Sequence, residues 1–230
     1  MLTVLIPCYN EKKTISKIIK KIKLQKIRKQ IIVIDDYSND GTRLILKKKL
    51  KKSIDRLILH KKNLGKGASI NSAKKFIKGD IVIIQDADLE YSPKDYSRLI
   101  KPIQNKKTNI VYGSRVLGKK KRYYSNEFSS NFRIFANHIL TIISNFLNNQ
   151  KLTDAHTCYK VFNSKLFKKI NLEEKGFSFC PEVTTKVSLM NEKIIEIPIF
   201  YKGRTYSEGK KINFMDGIIA LKTLIKYRFF

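Results

Sequence analysis

Short apolar runs alternate with longer amphipathic stretches throughout the first half of the chain, and this alternation limits the folds that the chain can adopt. Three of the runs, VLI, IIVI and IVII, are continuously apolar, which is typical of strands buried on both faces of a sheet. Strands that alternate with helices predict a mostly parallel α/β sheet with helices on both faces. The predicted strands are Leu2–Ile6, Gln30–Ile34, Arg56–His60 and Asp80–Gln85, and the predicted helices are Lys12–Ile27, Thr42–Leu50 and Lys66–Ile77.

The pattern changes after about residue 92. No internal repeat and no Pro/Ser-rich linker divides the chain, and 230 residues with 42% hydrophobic side chains suffice for the core of one domain. We expect one domain over residues 1–211 and a C-terminal basic amphipathic helix over residues 212–230. The other predicted helices are Lys94–Gln104, Ser129–Asn148 and Cys180–Met190, the strands are Asn109–Tyr112, Tyr159–Asn163 and Lys193–Phe200, and the basic loops are Gly118–Tyr124 and Lys202–Lys211.

The chain has 48 Lys and Arg residues against 19 Asp and Glu residues, which gives a formal net charge of +29. Such a charge predicts contact with phosphates or with an anionic membrane surface. The lysines occur together with many isoleucines and asparagines, a mixture that an A+T-rich coding sequence also produces, so mutational bias is an alternative source of the excess. The aromatic residues lie mostly in apolar runs, so no specific binding of nucleic acid is expected.

The three cysteines, Cys8, Cys158 and Cys180, form no Cys-x-x-Cys pair, which argues against a disulfide framework and against a zinc site. We expect Cys158 and Cys180 to pack as small apolar groups. The segment Met1–Tyr9 leads directly into an apolar run without a basic region or a cleavage site, so no signal peptide is predicted. These features favour a protein of the reducing cytoplasm.

No stretch of the sequence reaches the roughly 18 uncharged apolar residues that are needed to span a bilayer. The best candidate, Ile134–Leu147, is interrupted by polar residues and suits a half-buried or interfacial helix. The segment Phe214–Phe230 carries Lys222, Lys226 and Arg228 beside apolar residues. This helix has two interpretations: it lies on an anionic membrane surface, or it docks its apolar stripe on the domain.

Polar clusters follow four of the predicted strands, and the carboxyl ends of parallel strands meet at one edge of a sheet. Asp86-Ala87-Asp88 comes directly after a buried strand, and two carboxylates separated by one residue can hold a hard divalent cation through oxygen. The glycines of Asn63–Gly67 are expected to let the backbone approach a ligand at a helix N-terminus. The remaining clusters are Pro7–Glu11 and Asp35–Thr42.

Eight motifs follow one another along nearly the whole chain. The first five are IPCYNE (6–11), IDDYSNDGT (34–42), NLGKGAS (63–69), DADLEYSP (86–93) and GSR (113–115). The last three are LTDAHTCYKVF (152–162), FCPEVTTK (179–186) and GRTYSEGKK (203–211). The first five resemble the family-2 inverting glycosyltransferases, whose GT-A fold is a Rossmann-like α/β sheet. The last three are similar to the dolichyl- or polyprenyl-phosphate sugar synthase branch of that family.

The resemblance implies a pocket for a nucleoside-diphosphate sugar, either a GDP- or a UDP-sugar. Arg115, Arg204 and Lys210 match the cationic positions of the family, and an arginine can grip a phosphate with two parallel hydrogen bonds. Either Asp35 or Asp36 would read the edge of the base. The other residues implied for this pocket are Pro7, Tyr9, Glu11, Lys66, Asp86 and Ala87.

The resemblance also implies a metal ion, Mg²⁺ or Mn²⁺, held by Asp86, Asp88 and Glu90. The family's mannosyl-transferring members commonly have glutamine at the position of Glu90, so the third ligand departs from the family pattern. The implied catalytic residues are Asp88, Arg115 and Asp154.

Two further residues lie in the last motifs. His156 is expected to be a polar neighbour of the site rather than a catalyst. Glu182 has two interpretations: its carboxylate complements the dipole of the helix that begins there, or it takes part in the active site.

The implied reaction is the inverting transfer of a mannose- or glucose-type hexose to a polyprenyl or dolichyl phosphate, at the cytoplasmic face of a membrane and with a separate membrane protein as a candidate partner. Metal and cations would stabilise the leaving diphosphate. A phosphate acceptor is already anionic and needs no strong base, whereas a sugar hydroxyl would need one, and Asp154 would then be that base.

The rival function is therefore the addition of one sugar to a glycan hydroxyl in cell-surface polysaccharide synthesis. The alternative from another class is a basic nucleic-acid- or membrane-binding protein. The chain has no Trp, so it lacks the Gln-x-x-Arg-Trp motif of the processive polysaccharide synthases with this fold.

Overall fold

The computed structural model describes residues 1–117, 128–204 and 214–230. Strands and helices alternate along these residues as the sequence predicts. The strands are β1 Leu2–Cys8, β2 Lys29–Asp35, β3 Arg56–Leu59, β4 Ile81–Ile84, β5 Ile110–Ser114, β6 Lys160–Asn163 and β7 Ile194–Pro198. The helices are α1 Ile15–Lys23, α2 Thr42–Lys48, α3 Lys66–Ala73, α4 Tyr96–Gln104, α5 Phe128–Asn148, α6 Ser164–Lys169, α7 Phe179–Leu189 and α8 Phe214–Phe229.

The strands form one sheet in the order β3-β2-β1-β4-β6-β5-β7. Strand β6 is antiparallel to β4 and to β5, and the other neighbouring pairs are parallel. The predicted mostly parallel α/β sheet is confirmed. Since β1 and β2 pair in register as far as Cys8 and Asp35, the polar residues that follow these strands emerge at the same edge of the sheet.

Burial explains why the central segments are strands and the flanking ones are helices. All four residues of β4 are buried, as expected for a strand covered on both faces. In α1 the buried residues recur at helical spacing, which packs one face on the core and leaves the lysines in solvent. These buried residues are Ile15, Ile18, Ile19 and Ile22.

The largest differences from the sequence-based expectation concern three elements. Helix α1 is shorter at both ends than the predicted Lys12–Ile27. The predicted helix Lys66–Ile77 ends at Ala73 and continues as a short 3-10 turn over Lys74–Phe76. The short helix α6 directly follows β6 and was not predicted; its first turn is capped by Asn163, whose side chain accepts hydrogen bonds from the amides of the next turn.

The C-terminal helix α8 packs against α5 and α7. Among residues 215–229 of α8, the buried ones are Ala220, Thr223 and Leu224. One face of α8 therefore docks on the domain, as the second interpretation of this segment expected. Across the described residues, no helix combines the length and the apolarity that crossing a membrane requires.

Candidate active site

Arg204 joins acidic side chains that follow β1 and β4, two neighbouring strands. Its Nη2 donates to Glu11 Oε1 at 3.1 Å and to Asp88 Oδ2 at 3.2 Å. Its backbone N–H donates to Glu90 Oε1 at 2.7 Å. The structure therefore brings together four residues that the sequence assigned to the site, at the carboxyl edge of the sheet.

Glu90 is held by the segment that follows β7. Its Oε2 accepts a hydrogen bond from the Tyr201 hydroxyl at 2.9 Å, and its backbone carbonyl accepts one from Lys202 N–H at 3.0 Å. The guanidinium of Arg115 lies 5.2 Å from the centre of the Tyr201 ring. Tyr201 thus connects Glu90 to Arg115, a link that the sequence analysis missed because nothing in the local pattern marked this tyrosine.

Asp86 pairs with Lys66, the first residue of α3, at 2.5 Å. Burial opposes the charge on Lys66, but the neighbouring Asp86 carboxylate outweighs it and raises the pKa of the ammonium. The pair joins the end of β4 to the glycine-containing turn before α3. Ala87, between the two aspartates, is buried.

The environment of Asp88 strongly perturbs the pKa of its carboxylate. Burial, followed by the negative charges of Asp86 and Glu90, raises the pKa of Asp88 to about 7 despite the nearby Arg204. Carboxylates are thus crowded here, and carboxylate oxygen is the ligand that Mg²⁺ and Mn²⁺ prefer. The donor chemistry of Asp86 and Asp88 fits a hard divalent cation. Within residues 1–117, 128–204 and 214–230, however, no three acidic, His or Cys side chains converge on one metal position.

The turn before α3 is filled by a distant part of the chain. A Cβ on Gly65 would lie 2.4 Å from the carbonyl oxygen of Lys175, and one on Gly67 would lie 2.0 Å from that of Glu174. The amide of Gly67 donates to the Gly176 carbonyl at 3.2 Å. The expectation that these glycines give an outside ligand access to the backbone is therefore wrong at Gly65 and Gly67, because the loop 174–176 makes that close approach.

The two candidate base-reading aspartates contact different groups. Asp36 accepts hydrogen bonds from the amides of Leu64 at 2.8 Å and Gly65 at 2.7 Å, and its Oδ1 lies 2.7 Å from His60 Nδ1. Asp35 is completely buried and accepts from Arg43 Nε at 2.6 Å through Oδ2. Its Oδ1 is buried without a hydrogen-bond partner among the described residues. Asp36 therefore holds the turn before α3, while Asp35 retains an unused acceptor.

Asp154 and Arg115 form a buried pair with parallel hydrogen bonds. Arg115 Nε donates to Asp154 Oδ2 at 2.7 Å, and Nη2 donates to Oδ1 at 2.7 Å. The Arg115 backbone amide donates to Oδ2 at 3.0 Å as well. Glu196 on β7 in turn accepts from the amides of Thr153 and Asp154, at 2.7 and 3.0 Å. The pair is thereby fixed in one orientation beside the acidic cluster.

Other residues named in the sequence analysis are Pro7, Tyr9, Glu182 and Lys210. Pro7 lies in β1 opposite Ile34, and Tyr9 follows the same strand. Glu182 is buried and accepts from the amides of Glu173 and Glu174, at 2.6 and 3.1 Å, so it fixes the loop that fills the glycine turn. Lys210 lies outside the described residues.

His156 is half-buried, and the three cysteines are buried. Burial, followed by the charge of Lys160, lowers the pKa of His156 to about 4, so the ring is neutral at neutral pH. Its Nε2 has no hydrogen-bond partner within the part of the chain that the structure describes. Cys8, Cys158 and Cys180 are free thiols, and burial raises the pKa of Cys158.

A comparison with family models gives a match between residues 3–171 and glycosyl transferase family 2. The chain belongs to this family. The family 2 chain is 27% identical over 247 residues to dolichyl-phosphate beta-glucosyltransferase ALG5A of Trichomonas vaginalis, a match that covers 100% of this chain and 73% of that protein. It is also 27% identical over 235 residues to the UDP-N-acetylglucosamine–dolichyl-phosphate N-acetylglucosaminyltransferase of Methanococcus voltae, covering 94% of this chain and 92% of that protein.

Solved structures establish the fold of this family 2 glycosyltransferase. Glucosyl-3-phosphoglycerate synthase from Mycobacterium tuberculosis, in complex with Mn²⁺, uridine diphosphate and glucosyl-3-phosphoglycerate, superposes with a TM-score of 0.69 at 17% identity. The superposition covers 99% of this chain and 79% of that one. The predicted GT-A fold is confirmed, as is the prediction that the chain is a glycosyltransferase.

Proposed function

We propose that this family 2 glycosyltransferase transfers a glucose- or mannose-type hexose from a UDP- or GDP-sugar to a polyprenyl phosphate, with inversion at the anomeric carbon. Support comes from the relatives: two of them, each aligned over most of its length, are named for transfer to dolichyl phosphate. The donor class is supported by the uridine diphosphate in the structurally similar glucosyl-3-phosphoglycerate synthase.

The pairing of Asp154 with Arg115 is the observation that favours a phosphate acceptor over a sugar hydroxyl. A general base must have a lone pair available for the proton that it removes. Both Asp154 oxygens accept hydrogen bonds from the Arg115 guanidinium, and Oδ2 also accepts one from the Arg115 amide, so lone pairs that a base would use are already engaged. A phosphate oxygen is already anionic and attacks without such a base, so this site suits it better. Asp154 then acts as a residue that positions Arg115.

In this proposal the cations of the site bind the diphosphate. Arg204 and Lys66 pair with Asp88 and Asp86, and each would exchange its carboxylate partner for a phosphate oxygen when the donor binds. Asp86 and Asp88 would hold Mg²⁺ or Mn²⁺, which when bound would supply electrostatic stabilisation to the leaving diphosphate. Both Asp35 and Asp36 belong to the proposed nucleotide pocket.

The acceptor also suggests where the enzyme works. A polyprenyl phosphate resides in a bilayer, so the proposal places the enzyme peripherally on the cytoplasmic face of a membrane, where a separate membrane protein would be a candidate partner. Helix α8 leaves Met215, Ile219 and Phe229 exposed beside Lys222, a combination suited to an anionic interface.

The test is release of nucleoside diphosphate from a panel of UDP- and GDP-hexoses with Mg²⁺ or Mn²⁺, with and without undecaprenyl or dolichyl phosphate. We expect turnover to require the lipid phosphate. Asp88→Asn should lower it about 100-fold or more, the usual effect of removing one electrostatic contact to the reacting group. Asp80→Asn is the matched control, because Asp80 is exposed and lies before β4, at the opposite end of that strand.

Turnover with a glycan acceptor but not with lipid phosphate would refute the proposed acceptor. In that case Asp154→Asn should abolish the alkaline rise of the pH–rate profile, since the proton acceptor would be gone. For a phosphate acceptor the same variant should lower the rate without changing the shape of that profile.

A further inference from the structure

Helix α5 buries polar side chains and exposes large apolar ones, which is the reverse of the usual arrangement. Its buried residues include Thr141, Ser144 and Asn148, which recur at helical spacing and are polar. Their hydrogen bonds stay within the protein: Asn148 Nδ2, for example, donates to Thr185 Oγ1 of α7 at 3.2 Å. A surface helix of a globular domain normally buries its apolar stripe and exposes its polar one.

The exposed face of α5 is apolar. Its large side chains lie at spacings of four, three and four residues, which places them in one stripe along the helix. Phe146 is 87% exposed and Phe135 is 62% exposed. The members of this stripe are Phe135, Ile139, Ile142 and Phe146, and we call them the α5 stripe.

The α5 stripe is also free of charge in a chain with 29% charged residues. Residues 134–148 contain no Lys, Arg, Asp or Glu. Large exposed apolar patches on soluble domains mark surfaces that contact a partner or a membrane. The stripe therefore needs an apolar environment outside the domain.

We propose that the α5 stripe inserts into the interfacial region of an anionic lipid bilayer, with α5 lying parallel to the membrane surface. The charges near the stripe favour lipid over a second protein. Lys151, just after α5, is exposed, and Lys222 is exposed on the neighbouring helix α8. A charge-free apolar stripe flanked by basic residues is complementary to acyl chains beneath anionic head groups.

This inference deepens the proposed function, because a face that binds the bilayer would bring the domain to a lipid-linked acceptor. Membrane binding does not require catalysis, however, so the two can fail separately. Binding is measured by sedimentation of the full chain with vesicles of phosphatidylcholine and phosphatidylglycerol, and catalysis is measured with a short-chain polyprenyl phosphate in detergent.

The decisive variant is the double substitution Ile142→Ser/Phe146→Ser. We expect it to lower the vesicle partition coefficient at least tenfold and to leave turnover in detergent unchanged. The matched control is Leu24→Ser/Leu44→Ser, which removes two exposed leucines of α1's C-terminus and α2 and should leave partition unchanged. Because both variants alter exposed side chains, their melting temperatures should match that of the wild type.

A tryptophan probe tests the depth of insertion independently. The chain has no Trp, so Phe146→Trp carries a single tryptophan, which can be excited selectively at wavelengths longer than those that tyrosine absorbs, at the most exposed position of the stripe. We expect a blue shift of its emission on vesicles and quenching by lipids brominated in the acyl chain, and neither effect for Leu24→Trp. Vesicle binding that is equal in wild type and the double serine variant would overturn the proposal. So would a dimer in solution that the double variant converts to a monomer, because the stripe would then be covered by a second copy of the chain.

Discussion

Replacing Gly67 by alanine tests the contact between α3 and the loop 174–176. The new Cβ would lie 2.0 Å from the Glu174 carbonyl oxygen, and side-chain carbons are essentially never found closer than 3.0 Å to such an atom. The loop must therefore retreat by about 1 Å. That movement lengthens two hydrogen bonds, from Gly67 N–H to the Gly176 carbonyl at 3.2 Å and from Ala68 N–H to the Lys175 carbonyl at 3.1 Å.

The loss of stability follows from these contacts. Overpacking of this kind costs about 1–3 kcal/mol, and each weakened backbone hydrogen bond about 1 kcal/mol. The free energy of unfolding should fall by about 3–5 kcal/mol in total. For a chain of this size, a change of about 4 kcal/mol corresponds to a melting temperature lower by about 8–16 °C.

The assay is thermal unfolding followed by circular dichroism, with Gly176→Ala as the control. A Cβ on Gly176 would meet nothing within 4 Å, so that variant should stay within about 0.5 kcal/mol of the wild type or gain slightly. Equal melting temperatures for Gly67→Ala and Gly176→Ala would refute the reasoning, because the loop would then not be packed against the glycine turn.

Three further predictions concern stability. Asp154→Asn should lower the unfolding free energy in urea by about 3–5 kcal/mol, because it leaves the Arg115 guanidinium buried without a counter-ion; a loss below 1 kcal/mol would contradict that account. For His156, the pKa falls from 6.5 when unfolded to about 4 when folded, so the unfolded state binds more protons between these values and stability is lost as the pH falls. Between pH 7 and pH 5, the unfolding free energy of the wild type should fall by about 2 kcal/mol more than that of His156→Gln. Parallel urea titrations of the two proteins measure this, and equal losses would contradict the prediction. Gly217→Ala should raise the unfolding free energy by about 0.5–1 kcal/mol, because the glycine is in α8 with no neighbour near its Cβ position; an unchanged or lower thermal midpoint would contradict this.

The strands and the acidic end of β4 were predictable because their signals are local. A continuous apolar run such as IVII at residues 81–84 has few alternatives to a buried strand, and Asp86 and Asp88 follow it directly. The resemblance added Arg204, which the structure places against Glu11 and Asp88. In each case the relevant information lies within a few residues or within one motif.

Contacts between distant segments were not predictable from such signals. The glycines of the turn before α3 looked like a ligand cradle, yet the structure fills the turn with residues about 110 positions later. His60 gave no periodic signal, although its Nδ1 contacts Asp36. In α5 the segment was correctly predicted as a helix, but which of its faces is buried depends on polar partners such as Thr185 of α7, and no local pattern encodes that partner.

The position of β6 has a consequence for the order in which the chain acquires its structure. Strands β4 and β5 are not hydrogen-bonded to each other; β6 lies between them and pairs with both. During synthesis, β4 therefore presents an unpaired apolar edge from the time that residue 84 is made until residues 160–163 arrive. Asp88 follows β4 and Arg115 follows β5, so these two residues of the proposed active site come together only when this late strand inserts between the two strands. A nascent chain that stops before β6 contains Asp86, Asp88 and Glu90 but cannot complete the proposed site. We expect such fragments to require chaperones rather than to fold alone.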